Sequence, residues 1–298
     1  MINGILNIKK EAGFTSHDVV AKLRGIVHQK KIGHTGTLDP DATGVLPVCL
    51  GKATKLCDLI GDWDKTYEAV LLLGRETDTE DTGGTTCRES KVEVTEKEIE
   101  EIILSFVGDY SQIPPMYSAK KVNGKKLYEL AREGIVIERK PCPVNISSIE
   151  VKEIDLPRVK FEVTCSKGTY IRSLCRDIGM KAGCGGCMEH LTRTRVASFS
   201  IGESCTLSEI DQMQKDGVLS EKILPIDKVF AAVPAVFVEK EGEKKLYNGN
   251  PVPSGFCREK DSLPGIHEKC RVYDSQKNFV GIYTLEKNDL LKPYKLFL

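Results

Sequence analysis

The stretch Gly33-His34-Thr35-Gly36-Thr37-Leu38-Asp39-Pro40-Asp41-Ala42-Thr43-Gly44-Val45-Leu46-Pro47 constrains the chain more than any other. Three Gly, two Pro and three Thr in fifteen positions exclude a regular helix or strand through its middle. It reads as a rigid, shaped loop, and the apolar run from Val45 to Leu50 that follows reads as a buried strand. Pro40 pushes Asp39 away from helical geometry and holds its carboxylate on an extended or turn backbone. A constrained loop carrying one His and two carboxylates can serve as a catalytic platform. An Asp-Pro turn can equally hold an Asp that bonds only nearby backbone. The residues alone leave both open.

Around this loop, elements follow from local patterns. Thr15-Ser16-His17-Asp18 has capping-box spacing and precedes Val19, Val20, Leu23, Ile26 and Val27, so a helix runs to about His28. A short helix is expected over 53–60 and a strand over 66–73, with Tyr67, Ala69, Leu71 and Leu73 on one face. The segment 75–84 is too polar for the core. Thr95 caps a helix with Ile99, Ile102, Ile103 and Phe106, and a Pro/Gly-bounded basic insertion spans 114–140, closed by a short helix at Leu127–Ala131. Strands at about 144–154 and 159–165 precede a helix with Ile171, Leu174, Cys175 and Ile178 on one face. A strand in two pieces follows over 188–201. Strands and helices do not alternate regularly, which favours an α+β fold with a mixed, largely antiparallel sheet and flanking helices. Past Asp227 short β-like runs at 236–239, 269–273 and 280–285 suggest a small β-rich domain, dividing the chain into residues 1–228 and 229–298.

Length and charge limit the function classes. At 298 residues the chain can bury one substantial core plus a smaller one, and no apolar run approaches the ~18 residues of a membrane span. Eleven scattered Cys without a targeting segment read as reduced thiols, so a cytoplasmic protein is expected. Formal net charge is zero, yet residues 114–140 carry seven Lys/Arg against three Glu, while residues 75–101 carry ten acids against four bases. Such asymmetry suits one phosphate-facing side, though charged runs are usually just solvated surface. Cys184-Gly-Gly-Cys187 with His190 gives three ligands but no fourth, so a Gly-rich turn with two thiols is expected rather than zinc.

Gly-His-Thr-Gly-Thr-Leu-Asp-Pro at 33–40, Ala-Thr-Gly-Val-Leu-Pro at 42–47 and Gly-Lys-Ala-Thr-Lys at 51–55 together resemble the signature of the TruB family of pseudouridine synthases. The resemblance covers about residues 1–228 and implies an enzyme that turns the T-loop uridine of tRNA into pseudouridine. That reaction breaks a glycosidic bond, turns the base and rejoins it through carbon, so it needs a carboxylate, a proton-handling group and a pocket for a flipped base. It needs no cofactor or metal. On this resemblance Asp39 is the carboxylate and Arg172, in Cys165-Ser-Lys-Gly-Thr-Tyr-Ile-Arg172, its partner 133 residues away. Tyr67, in Asp64-Lys-Thr-Tyr67, stacks on the base and handles the proton. Leu191 closes the pocket, His34 fills the space the flipped base leaves, and Tyr170 buttresses the site. Lys120, Lys121, Lys125 and Lys126 would contact phosphate without sequence choice. Residues 229–298 resemble, more weakly, a PUA-like RNA-binding barrel.

The implied partner is the T-arm of tRNA, with no membrane and no obligate protein partner, and the chain acting as a monomer. Three rivals differ in class. A guide-RNA-dependent relative is expected to carry terminal extensions for which a chain starting Met1-Ile-Asn-Gly leaves no room. An RNA-binding or RNA-folding module would not need Asp39, Tyr67 and Arg172 together. A two-carboxylate glycosidase using Asp39 and Asp41 would need carboxylates flanking a sugar about 5 Å or more apart, which neighbours on a Pro turn do not provide.

Overall fold

The computed structural model describes residues 1–122, 124–259 and 263–298. In chain order the first half comprises β1 (Gly4–Lys10), α1 (Ser16–Ile26), β2 (Ile32–His34), β3 (Thr43–Leu50), a 3-10 turn (Gly51–Leu56), α2 (Cys57–Gly61), β4 (Lys65–Leu73), β5 (Arg75–Thr77), β6 (Thr86–Glu89), α3 (Glu96–Leu104) and β7 (Gly108–Gln112). Then come β8 (Lys121–Val122), β9 (Lys125–Lys126), α4 (Leu127–Arg132), β10 (Cys142–Asp155), β11 (Arg158–Cys165), α5 (Ile171–Lys181), β12 (Gly186–Val196), β13 (Phe199–Ser200) and α6 (Leu207–Lys215). The remainder forms β14 (Ala235–Phe237), α7 (Glu243–Tyr247), β15 (Val252–Pro253), β16 (Lys269–Tyr273), β17 (Phe279–Leu285) and β18 (Leu290–Leu296).

One nine-stranded sheet runs β1-β3-β12-β4-β11-β10-β7, with β2 on β3 and β13 on β12. Its pairs are antiparallel except β12 against β3, the mixed, largely antiparallel α+β sheet expected. The single parallel contact matters for function. It sets Thr192 and Arg193 against Thr43 and Gly44, and so docks the end of the Gly33–Pro47 loop onto the strand that follows α5. Gly44 has φ +105, and a Cβ there would lie 2.2 Å from the Arg193 carbonyl, so only glycine fits.

Strand β3 explains its own unbroken apolar run. Leu46, Val48 and Leu50 pack with Val19, Val20 and Leu23 of α1 and Ile210 of α6 on one face. Val45 and Cys49 pack on the other face with Ala53, Leu56, Ile60 and, from the C-terminal region, Ile282 and Phe297. A strand covered on both sides reads as continuously hydrophobic. Across the sheet, Ala69, Leu71, Phe161 and Val163 form a second body of core with Ile99 and Ile103 of α3 and Leu174 and Ile178 of α5. The capping boxes at Thr15 and Thr95 are both formed, each with the side chains of cap and N3 residue satisfying one another's backbone N–H.

The C-terminal region forms a five-stranded sheet, order β14-β16-β17-β18-β15, around Val236, Val238, Val272, Val280, Tyr283 and Leu291. Strand β18 and helix α7 were not anticipated from the sequence, because Lys292, Pro293 and Lys295 hide the first and only five residues make the second.

Two expectations change. Residues 75–84 are not wholly excluded from the interior. They form the β5–β6 hairpin, in which Thr77 and Glu80 are buried. Glu80 is tolerated there because Arg176 and Ser173 of α5 both bond its carboxylate. The amino-terminal residues, for which the sequence pattern gives no element, form the strand β1, with even Lys10 buried. Cys184 and Cys187 lie buried where Gly185 and Gly186 pass against Gly179 of α5, while His190 is exposed. Among the described residues no group of three or more His, Cys, Asp or Glu is placed to hold a metal ion, and no helix is long and apolar enough to cross a membrane.

Candidate active site

The Asp39 loop is held from several directions before any ligand arrives. Ser16 Oγ, at the start of α1, accepts from the Leu38 N–H at 2.9 Å and donates to the Leu38 carbonyl at 3.3 Å. Gly13 N and Lys10 Nζ both bond the Pro40 carbonyl, at 3.0 and 2.9 Å. The Ala42 N–H closes a turn onto the Asp39 carbonyl at 3.2 Å. Pro40 thus contributes a fixed φ while its carbonyl takes two donors, and the Asp39 side chain stays partly exposed.

Arg172 meets it there. Nε lies 3.0 Å from one Asp39 oxygen and Nη2 3.3 Å from the other, a two-point fork across 133 residues of sequence. The remaining donors are also used: Nη1 bonds the Thr79 carbonyl at 3.1 Å and sits 3.6 Å from Asp81, and Nη2 bonds the Tyr117 carbonyl at 2.9 Å. Only 7% of the Arg172 side-chain surface is exposed, against 41% for Asp39, so the cation is sealed in and the anion faces the opening. Desolvation in this dense setting raises the Asp39 pKa above the ordinary carboxylate value. Arg172 opposes that rise, Asp81 adds to it, Lys10 opposes it and Asp41 adds to it.

Tyr67, Leu191 and Arg193 sit on the sheet below. Tyr67 of β4 is opposite Arg193 of β12, and Leu191 is opposite Ala69, two residues along. With period-2 alternation, Leu191 and Tyr67 therefore share a face. Tyr67 is buried, and desolvation raises its phenol pKa against the lowering effect of Arg193. Leu38 and Ala42 of the loop belong to the same apolar cluster as Tyr67. Tyr170 ends the approach to α5, where Gln112 clamps it by accepting from its N–H at 2.8 Å and donating to its carbonyl at 2.9 Å.

His34 lies on β2 with its ring edge-on to His17, centroids 5.3 Å apart. Burial, then His17 and Arg193, lower its pKa, so the ring is neutral near pH 7. Among the described residues its buried Nδ1 has no hydrogen-bond partner.

The basic insertion connects to this centre through Tyr117, whose carbonyl Arg172 holds. Its lysines are not equivalent. Lys121 and Lys125 are exposed on the β8–β9 hairpin, and Lys125 reaches Glu133 at 3.8 Å. Lys126 donates to the Tyr128 hydroxyl at 3.1 Å, and Lys120 contacts Cys142.

Four charged residues of the site were not singled out from the sequence. Asp81 and Glu80 lie in a segment read as surface. Lys10 is buried with its pKa lowered to about 8 by burial, and Arg193 is buried in a strand. For Lys10 and Arg193 the only sequence signal is a cation interrupting an apolar alternation.

The sequence and the fold are similar to those of known proteins. The sequence model of the TruB family pseudouridylate synthase N-terminal domain matches residues 24–171, and that of the tRNA pseudouridylate synthase B C-terminal domain matches residues 172–231. The chain is 53% identical over 307 residues to a tRNA pseudouridine synthase B of Lachnoclostridium phytofermentans, covering 100% of both chains. It is 46% identical to that of Alkaliphilus oremlandii, covering 98% of this chain and 96% of the relative. Among solved structures, a chain of a Cbf5–Nop10–Gar1 complex superposes with a TM-score of 0.74 at 26% identity, over 99% of this chain and 85% of that one. The chain belongs to the TruB family of pseudouridylate synthases.

Proposed function

We propose that the chain is a stand-alone tRNA pseudouridine synthase that isomerises the T-loop uridine, position 55 in tRNA numbering, and that Asp39, Tyr67 and Arg172 carry the chemistry. The observation that supports this best is the two-point Asp39–Arg172 fork on a partly exposed carboxylate, with Tyr67 in the same apolar cluster as Leu38 and Ala42 of the loop. The family and the tRNA-acting relatives of full length supply the reaction class.

In this reading the target uridine leaves its stack and enters the cleft between Tyr67 and Leu191, where an aromatic and an aliphatic face sandwich the base. The neutral His34 ring takes the space the base vacates. The ionised Asp39 assists departure of N1 from the anomeric carbon, either by attack or as a counter-ion. The freed base turns so that its C5 meets the same carbon. The C5 proton leaves through Tyr67, and N1, which bears no proton in uridine, gains one in the product, so atoms balance and the product is an isomer of the substrate. Arg172 holds the aspartate charged in a partly desolvated site and aims both oxygens. Residues 1–228 form the catalytic unit, the insertion at 114–140 grips the T-arm backbone, and residues 229–298 form a PUA-like unit that adds RNA contact. The enzyme works as a monomer in the cytoplasm, without guide RNA or protein partner.

The test is incubation of the purified chain alone with an unmodified tRNA transcript, followed by mapping of pseudouridine. Conversion of the single T-loop uridine is expected. No conversion, or conversion only after a guide RNA is added, contradicts the proposal.

A further inference from the structure

Arg193 is a buried cation that the reaction described above leaves unused. Only 1% of it is exposed, and among the described residues no carboxylate forms an ion pair with it. Nε donates to the Val45 carbonyl at 2.7 Å and Nη2 to the Gly36 carbonyl at 3.2 Å, on either side of Asp39 in sequence. Its neighbour directly across the β12–β4 ladder is Tyr67, on the same face of the sheet, and the Arg193 charge works against the rise that burial imposes on the phenol pKa. An unpaired buried charge costs several kcal/mol, whereas a Met or Leu of similar volume would cost nothing of the kind.

We propose that Arg193 is a positioning residue for Tyr67: its guanidinium orients and polarises the phenol while fixing the loop that presents Asp39. The proposal rests on the proton-handling role given to Tyr67 above. Three other ionisable groups surround the phenol. Cys165 of β11 faces it with a thiol pushed up to about 11, hence neutral. Lys65 of β4 is lowered to about 8 by burial and then by the Arg193 charge. Asp39 faces the phenol from the loop and disfavours its ionisation, as burial does. Arg193 is therefore the permanent cation that offsets both. The same guanidinium spans the phenol, the start of the loop and its end, so base-handling and carboxylate-bearing parts are registered by one rigid fork.

The test compares wild type with Arg193→Gln, all nine tyrosines carrying ring fluorine so that phenols titrate where the protein is folded. Loss of one fluorine NMR signal in Tyr67→Phe identifies Tyr67. In folded Arg193→Gln the Tyr67 midpoint is expected to rise by about one pH unit. The single-turnover rate is expected to fall about 10- to 100-fold at saturating tRNA, with tRNA affinity unchanged. An unmoved midpoint overturns the proposal and leaves Arg193 as a strut between strand and loop. Should Gln not fold, Arg193→Met, which keeps a long apolar stem without the charge, is read the same way; an unmoved midpoint there overturns it equally. Failure of the Tyr67 role itself looks different: Tyr67→Phe would keep the wild-type rate while the midpoint still moved.

Discussion

At the scale of single residues, the site depends on charges that control one another. Asp39 has a raised pKa from burial, and Arg172 works against that rise. If the reaction uses the ionised carboxylate, the rate falls as pH drops through the folded pKa of Asp39. Removing the cation leaves desolvation unopposed, so in folded Arg172→Ala the acid limb of the single-turnover pH–rate profile is expected to move to higher pH. Asp81→Asn removes a like charge, and the limb is expected to move to lower pH even though the rate falls because Arg172 loses a partner. Limbs that stay put in both variants would mean that these groups do not act on Asp39. Arg172→Lys keeps charge without the fork and is expected to lose most of the rate while remaining folded. Asp39, Arg172 and Tyr67 stand out in the sequence because they sit in unusual local strings. Asp81 and Arg193 did not, because a hairpin Asp and a strand Arg have the same local appearance on a surface as in a site. Only the register that sets Arg193 opposite Tyr67 separates the two.

At the scale of elements, α1, β4 and α5 were legible because each is a short stretch whose period and cap are local. Strand β1 was not. It is covered on both faces yet carries Asn7, Lys9 and Lys10, so neither alternation nor a clean apolar run marks it. The β5–β6 hairpin was misjudged for a related reason, since its burial depends on α5 about a hundred residues later. Glu80 and Arg176 make that bond, with Ser173 as a second donor. Glu80→Gln should therefore lower stability by about 2–4 kcal/mol, read from urea denaturation. A loss below about half a kcal/mol would class Glu80 with ordinary surface residues. The basic insertion offers a different test. Replacing Lys120, Lys121, Lys125 and Lys126 by Gln is expected to weaken tRNA binding and to flatten its dependence on salt, with Lys121 and Lys125 responsible for most of the change because they are exposed while the other two are half-buried. An unchanged slope of log affinity against log salt would show a merely solvated hairpin.

At the scale of the whole molecule, the change of texture past Asp227 correctly marked a separate β sheet, but not how closely it docks. Ile282 and Phe297 pack with Val45 and Cys49 on the back of the strand that continues from the Asp39 loop, and Lys55 Nζ bonds the Leu296 carbonyl at 2.8 Å. No local pattern reports such a contact, because its two sides lie more than two hundred residues apart. The path from loop to sheet to C-terminal strand makes the catalytic geometry a property of the entire chain. In the proposed function one carboxylate, Asp39, is required to convert bound tRNA. The direct measurement is single-turnover pseudouridine formation by Asp39→Asn on an unmodified tRNA transcript, with tRNA binding determined in the same preparation. The account predicts wild-type binding with pseudouridine below detection; measurable conversion by the folded Asn variant would contradict it.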